Sequence, residues 1–349
     1  LPIPASGFWS LVGAGAPQAV QWPSDPVVTG VDGAEMAQTL NNLAASGISG
    51  RFKAWWNGDE VEAAAAKGNA RAGKVEKVEV EELPSPSGIA EWTPQRIAAI
   101  QRLFGEGFDG PASQERARDL VNPIGLNEQM TVLDASARLG SAARTIAKET
   151  GAWVDGLEMD ELLMEEAVRL SAKAGLAKKA VIRKLELDDH EVKEHKRDAI
   201  VIREGLYQIS DRERIFKTLC DLLKPSSHLL MTEFLSVPGK GQEERAEWGA
   251  LHRTSPRLFE LDELREGLSK VGFDVRVAKD ETKAYKAMLL NGILRFGKTV
   301  PKEPVLRELQ EWVMWEVEYW ARTYNALEAG GITMHRIHAV TPMSDPTKM

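Results

Sequence analysis

The stretch Val132-Leu133-Asp134-Ala135-Ser136-Ala137-Arg138-Leu139-Gly140-Ser141, followed by Val154-Asp155-Gly156-Leu157-Glu158-Met159-Asp160, spells a strand, a tight turn, a helix and a second strand ending in a carboxylate. In a doubly wound sheet the first strand-to-helix turn approaches a nucleotide cofactor, and an acid roughly 20 positions on accepts hydrogen bonds from the ribose hydroxyls. Asp134 and Glu158 stand at that interval. A carboxylate can take both hydroxyls at once, which a neutral side chain does not match.

The flanking sequence keeps the same rhythm. Thr93 caps a helix with Pro94 at its first position, and Ile97, Ile100, Leu103 and Phe104 recur at helical spacing until the glycine-rich 105–110 stops it. A second helix runs from Ser113 through Leu120. Strand-like runs at 131–134, 153–158, 180–187, 198–203, 228–234, 273–278 and 332–340 then alternate with helical runs at 141–150, 161–174, 212–223 and 261–271. Such alternation implies a parallel sheet with helices on both faces. The expected fold is α/β: a doubly wound, mostly parallel seven-stranded sheet, with an N-terminal extension and a helical insertion at about 283–328 before the last strand. Residues 1–57, ending near Trp55-Trp56, are read as an N-terminal lobe or docking arm, 58–91 as a Pro-, Ser- and charge-rich linker, and 92–349 as the main domain.

Ligands of open α/β sheets bind at the carboxyl edge of the strands. The fourth strand delivers Arg203-Glu204-Gly205-Leu206-Tyr207-Gln208 to that edge, and Glu233 and Phe234 end the fifth. An inward Arg203 or Glu204 is costly unless paired, so a structural ion pair is the alternative to a ligand role. His252, in the segment after the fifth strand, is the candidate general base, since an imidazole near its ~6.5 reference pKa can take a proton from a hydroxyl. Met159 is placed to flank an adenine ring, whereas Trp153 is assigned to the core. Trp312, Trp315 and Tyr319 share a face of a helix at 304–327. Packing onto the sheet or the Trp55-Trp56 arm is preferred there over an aromatic box for a cationic or apolar acceptor, with a protein interface as the third reading.

Taken together, these residues resemble class I S-adenosylmethionine-dependent methyltransferases, most nearly the small-molecule enzymes of the ubiquinone and sterol type. The turn is similar to that family's Asp-x-Gly-x-Gly-x-Gly, with Asp134 at its head and Gly140 at its last glycine, while Ser136 and Arg138 stand at the first two. The resemblance implies S-adenosylmethionine as cofactor, surrounded by Asp134, Ser136, Arg138, Gly140, Glu158, Met159, Glu186, Leu187 and Arg203, with Glu186 toward the adenine amino group. It implies methyl transfer to a small-molecule acceptor near Glu204, Tyr207 and His252, an antiparallel pair of last strands, and an insertion covering the substrate. Lys224-Pro225-Ser226-Ser227 replaces the family's Lys-Pro-Gly-Gly. Lost glycines support the alternative of a catalytically inactive scaffold or accessory subunit, because side chains at 136 and 138 obstruct close backbone approach. Arg138 can instead reach the methionine carboxylate. A dinucleotide oxidoreductase is the weaker third reading, since the turn lacks its glycines.

At 349 residues, 43% apolar and 28% charged, the chain has the composition of a globular protein with a sizeable core. A net charge of −8 opposes nucleic-acid binding. The expected partners are a small molecule and, through tryptophan-rich surfaces, a second copy or a larger complex. The single Cys220, at a core-facing helix position, excludes an internal disulfide, and no ligand spacing fits a metal. No apolar run reaches the ~18 residues of a membrane span. A cytoplasmic location is expected, with a removed targeting segment left open by the start at Leu1.

Overall fold

The computed structural model describes residues 91–111, 114–184, 190–209, 211–252, 255–299 and 307–343. The expected N-terminal arm and nearly all of the linker, together with Glu186 and Leu187, lie outside the described residues.

Two helices, α1 (Pro94–Phe104) and α2 (Gln114–Val121), precede the sheet. The wound unit is β1 (Thr131–Asp134), α3 (Ser141–Thr150), β2 (Trp153–Leu157), α4 (Glu161–Lys173), β3 (Ala180–Arg183), the single turn α5 (His190–Lys193), β4 (Arg197–Arg203) and α6 (Arg212–Asp221). Then come β5 (Leu223–Ser236), α7 (Gln242–Gly249), α8 (Leu261–Lys270), β6 (Asp274–Asp280), the insertion helices α9 (Thr282–Thr299) and α10 (Arg307–Glu328), and β7 (Ile332–Val340). The strands order as β3-β2-β1-β4-β5-β7-β6 in one seven-stranded sheet. The first five are parallel, and β7 runs antiparallel to both β5 and β6. Chain order reverses direction beside β1, where the sheet turns outward to β2 on one side and β4 on the other, the crevice in which such sheets hold ligands.

Side chains alternate across the strands, so each face has its own core. Leu133, Ile200, Ile202, Leu229, Met231 and Ile337 face α6 and α8, whereas Val132, Val154, Ala199, Val201 and Leu230 face the small residues Ala142, Ala143 and Ala167 of α3 and α4. Burial on both faces explains the unbroken apolar run of β4. Helix starts follow local chemistry: the Thr93 hydroxyl accepts the Arg96 N–H, and the Asp160 carboxylate accepts those of Leu162 and Leu163.

Two expectations need correction. Trp153 is not core: it lies on the outer part of the sheet, 48% exposed, its indole N–H donating to the Glu128 carbonyl and Lys179 lying over its ring. The turn expected before the fifth strand is a bulge within β5, because Leu223 pairs with Arg197 and His228 with Ala199, leaving 224–227 as extra chain. Ser226, with φ +56°, and Ser227 donate their N–H groups to the Pro342 carbonyl and the Thr341 hydroxyl. Cys220 sits at the edge of the α6 core, beside the Val271 carbonyl.

Candidate functional site

β1 and β4 are neighbours and end in charged residues, Asp134 (0% exposed) and Arg203 (6%). One Asp134 oxygen accepts the Ser136 N–H at 3.3 Å; the other is buried without a hydrogen-bond partner among the described residues, as are Nε and Nη2 of Arg203. Burial pushes the Asp134 carboxyl up, with the Arg203 charge opposing it. Buried polar atoms are nearly always satisfied, so orphans of opposite sign at a sheet edge call for an explanation.

The turn between them is tightly bonded. The Ser136 hydroxyl accepts the Arg203 backbone N–H at 2.7 Å, so this side chain fastens β4 to the turn. Arg138 keeps the left-handed backbone of the glycine it replaces, φ +48°, and its N–H donates to Glu158 at 2.9 Å. Gly140, φ +73°, caps α3, and a Cβ there would lie 2.8 Å from the Arg144 guanidinium. The other Glu158 oxygen accepts the Asp160 N–H at 2.8 Å, and burial raises this carboxyl. A carboxylate has about four lone-pair sites, so one on each oxygen stays available. Met159 beside it is half exposed.

The Arg138 side chain is ion-paired with Asp109, which is buried in the loop joining α1 to α2, and its guanidinium lies 5.6 Å from the Trp92 ring. Burial opposes the Arg138 charge, but Asp109 and the neighbouring Glu158 hold it protonated. Nothing periodic marks Asp109 in Gly107-Phe108-Asp109-Gly110, which is why sequence reasoning missed it.

Beyond β4, Tyr207 is buried against Phe234, Trp248 and His252, with ring centroids 5.6 to 6.2 Å apart. His252 Nδ1 stands 3.0 Å from the Trp248 carbonyl; a carbonyl only accepts, so Nδ1 carries the proton and Nε2 offers its lone pair to the Tyr319 hydroxyl at 3.3 Å. Burial lowers His252 to about 4, leaving it neutral at pH 7. Tyr319 belongs to α10, so the insertion supplies the partner of the candidate base. The Trp55-Trp56 arm expected to meet this face of α10 lies outside the described residues; Trp315 stacks on Tyr319, and Arg96 of α1 is sandwiched between Trp92 (3.9 Å) and Trp315 (4.2 Å) while bonded to the buried Glu316 at 2.7 Å. The Trp92 and Trp315 faces are thus filled by the chain's own cation.

Glu204, φ +50°, accepts from Arg116 at 3.0 Å and from the Thr232 hydroxyl at 2.8 Å, an ion pair. This pair borders a cavity of about 400 Å³ lined by Arg116, Thr232, Lys279, Glu281, Met288 and Arg336. Glu233 accepts the Gly205 and Leu206 N–H groups at 2.8 and 2.9 Å, and burial pushes its carboxyl up to about 8, so a protonated acid anchors the turn that carries Tyr207. Among the described residues no three His, Cys, Asp or Glu side chains are grouped to hold a metal, and no helix is long and apolar enough to cross a membrane.

Residues 112–277 match a family model described as a methyltransferase domain. A maize phosphoethanolamine N-methyltransferase is 24% identical over 218 residues, 62% of this chain and 42% of the relative, so the chain spans about two fifths of the curated relatives it matches. A protein from Galdieria sulphuraria described as a sarcosine dimethylglycine methyltransferase superposes with a TM-score of 0.61 at 14% identity, over 72% of this chain and 99% of that one. The Haemonchus contortus phosphoethanolamine N-methyltransferase 2, solved with phosphomonomethylethanolamine and S-adenosylhomocysteine, superposes with a TM-score of 0.58 at 21% identity, over 70% and 57% of the two chains. Residues 112–277 thus match a methyltransferase-domain model, and the described residues share the fold of solved class I methyltransferases.

Proposed function

We propose that this chain binds S-adenosylmethionine at the edge formed by Asp134, Arg203 and Glu158, and catalyses methyl transfer to a small-molecule acceptor lodged toward Tyr207 and His252. The observation that carries the reading is the pair of orphaned buried groups. Asp134 and Arg203 present one unsatisfied carboxylate oxygen and two unsatisfied guanidinium nitrogens side by side, the complement of an α-ammonium and an α-carboxylate. The free lone pairs of Glu158 suit ribose hydroxyls, and half-exposed Met159 suits an adenine face. The Ser136 hydroxyl, bonded to the Arg203 N–H of β4, supports a turn that still admits the cofactor.

When bound, the cofactor supplies a methyl group activated on a sulfonium. The chain's own part is mostly placement, since holding two reactants in line is worth several kcal/mol of barrier, on the order of 7–11 in well-oriented systems. Neutral His252, through Tyr319, accepts a proton from an acceptor hydroxyl. Glu204, held by Arg116 and Thr232, and Tyr207 line the approach from β4. Relatives named for phosphoethanolamine and sterols support a small acceptor rather than a macromolecule. Calorimetric titration with S-adenosylmethionine and S-adenosylhomocysteine tests the reading: micromolar binding is expected, and no binding of either overturns it.

A further inference from the structure

Arg138 is the feature of the turn that the cofactor reading leaves unused. A side chain stands where the fold tolerates glycine, in a left-handed backbone that L residues rarely adopt, and it is partly buried, 28% exposed. Such a residue persists when its surroundings over-determine it. Here the guanidinium reaches out of the turn to Asp109 in the 105–111 loop. A second arginine stitches the same two segments together: Arg144 donates to the Leu139 carbonyl of the turn at 2.6 Å and to the Gly107 carbonyl of the loop at 3.2 Å. A Cβ at Gly107, whose φ is +81°, would meet the Arg144 guanidinium, so a side chain there would displace this arginine. The far side of the loop meets the insertion. A Cβ at Gly110 would lie 3.0 Å from the Trp320 ring of α10, and Trp320 in turn packs edge-on to Phe104 of α1, centroids 5.2 Å apart. Cofactor turn, loop and α10 thus form three successive layers, and α10 carries Tyr319, the partner of His252.

We propose that Arg138 is a positioning residue that clasps the 105–111 loop over the cofactor edge through Asp109, and thereby couples cofactor binding to the seating of α10. The inference rests on the cofactor reading above. Three groups of the acceptor side already feel the Arg138 charge: Tyr207, Tyr319 and His252. A ligand that fixes the turn also fixes the loop, and a fixed loop offers Trp320 and Tyr319 one seat rather than several. Coupling of this kind is reciprocal, so an acceptor that orders α10 also tightens cofactor binding.

The test is amide hydrogen exchange of residues 307–328 in the full chain, with and without S-adenosylhomocysteine, beside calorimetry of the same samples. In the wild type, saturating S-adenosylhomocysteine slows exchange in α10 on the order of tenfold, within the usual range of coupling between sites. Asp109→Asn, which keeps shape and removes the pairing charge, and Arg138→Gly, which restores the family residue, still bind S-adenosylhomocysteine but lose that slowing; Arg138→Lys keeps part of it. Equal protection of α10 in Asp109→Asn and wild type overturns the proposal, even where Arg138→Gly does not fold. A gain of affinity in Arg138→Gly with α10 unaffected overturns it too, marking Arg138 as an obstruction. Absence of any binding by the wild-type chain overturns the cofactor reading and the coupling with it, an outcome distinct from binding without protection.

Discussion

Glu158→Ala removes one carboxylate that does two jobs. One oxygen accepts the Arg138 N–H at 2.9 Å and the other the Asp160 N–H at 2.8 Å, which leaves a lone pair on each for a ribose hydroxyl. Hydrogen bonds to a charged group contribute about 1.5–3 kcal/mol each, so losing two ribose contacts costs roughly 3 kcal/mol at the lower bound, or ~100-fold in affinity. Stability falls as well. Two backbone donors lose their acceptor at about 1 kcal/mol apiece, and in a domain of this size each kcal/mol shifts the melting temperature by about 2–4 °C. Glu158→Gln keeps one acceptor oxygen but turns an amide N–H toward a backbone N–H, so it falls between wild type and alanine in both measures. Calorimetry with S-adenosylhomocysteine and thermal melts followed by circular dichroism read the two effects separately. Binding within threefold of wild type by a folded Glu158→Ala protein would falsify the ribose assignment, and an unchanged melting temperature would remove Glu158 from the turn.

Ser136→Gly, which restores a family glycine, loses the acceptor for the Arg203 N–H; we expect a loss of about 1–3 kcal/mol in urea melts and no gain in S-adenosylhomocysteine affinity, and a tighter complex would show that Ser136 obstructs the site. Glu316→Ala deprives buried Arg96 of its carboxylate between Trp92 and Trp315, at about 3–5 kcal/mol, whereas replacing both partners with apolar residues recovers most of that loss; a single-variant loss below 1 kcal/mol argues against the ion pair. His252 titrates near 4 in the fold against an ordinary 6.5, so its contribution of about 3 kcal/mol is present above pH ~6.5 and is lost as pH falls toward 4. Glu233, raised to about 8, works in the opposite direction, so the readout is the difference between wild type and His252→Gln: between pH 7.5 and 5 the variant escapes the loss that His252 imposes and gains about 2 kcal/mol relative to wild type, and identical profiles contradict the buried neutral imidazole.

Much of the fold was legible in the chain because its signals are local. The spans Thr131–Asp134 and Ile332–Val340 match the strands read from apolar runs, and Gly140, Gly151 and Asp160 mark helix ends by backbone conformation and capping alone. The interval from Asp134 to Glu158 is likewise local, since one crossover joins the two strands, and both acids do meet at one turn. Where the sequence misled, it did so through burial, which no local pattern states. Trp153 lies on an apolar strand yet on the outer part of the sheet, and the 224–227 turn is absorbed into β5 by ties to the end of the chain.

The candidate site depends still more on distant pairs. Asp109 and Arg138 are separated by a helix and a strand, His252 and Tyr319 by the last two strands' insertion, and Arg96 and Glu316 by most of the domain. Sequence by itself determined which residues carry charge and which runs become strands, because propensity and side-chain period act within a few residues. Only the tertiary structure decided which charges are buried, which are paired and which stay unsatisfied, because desolvation and hydrogen bonding depend on neighbours that the fold alone brings together.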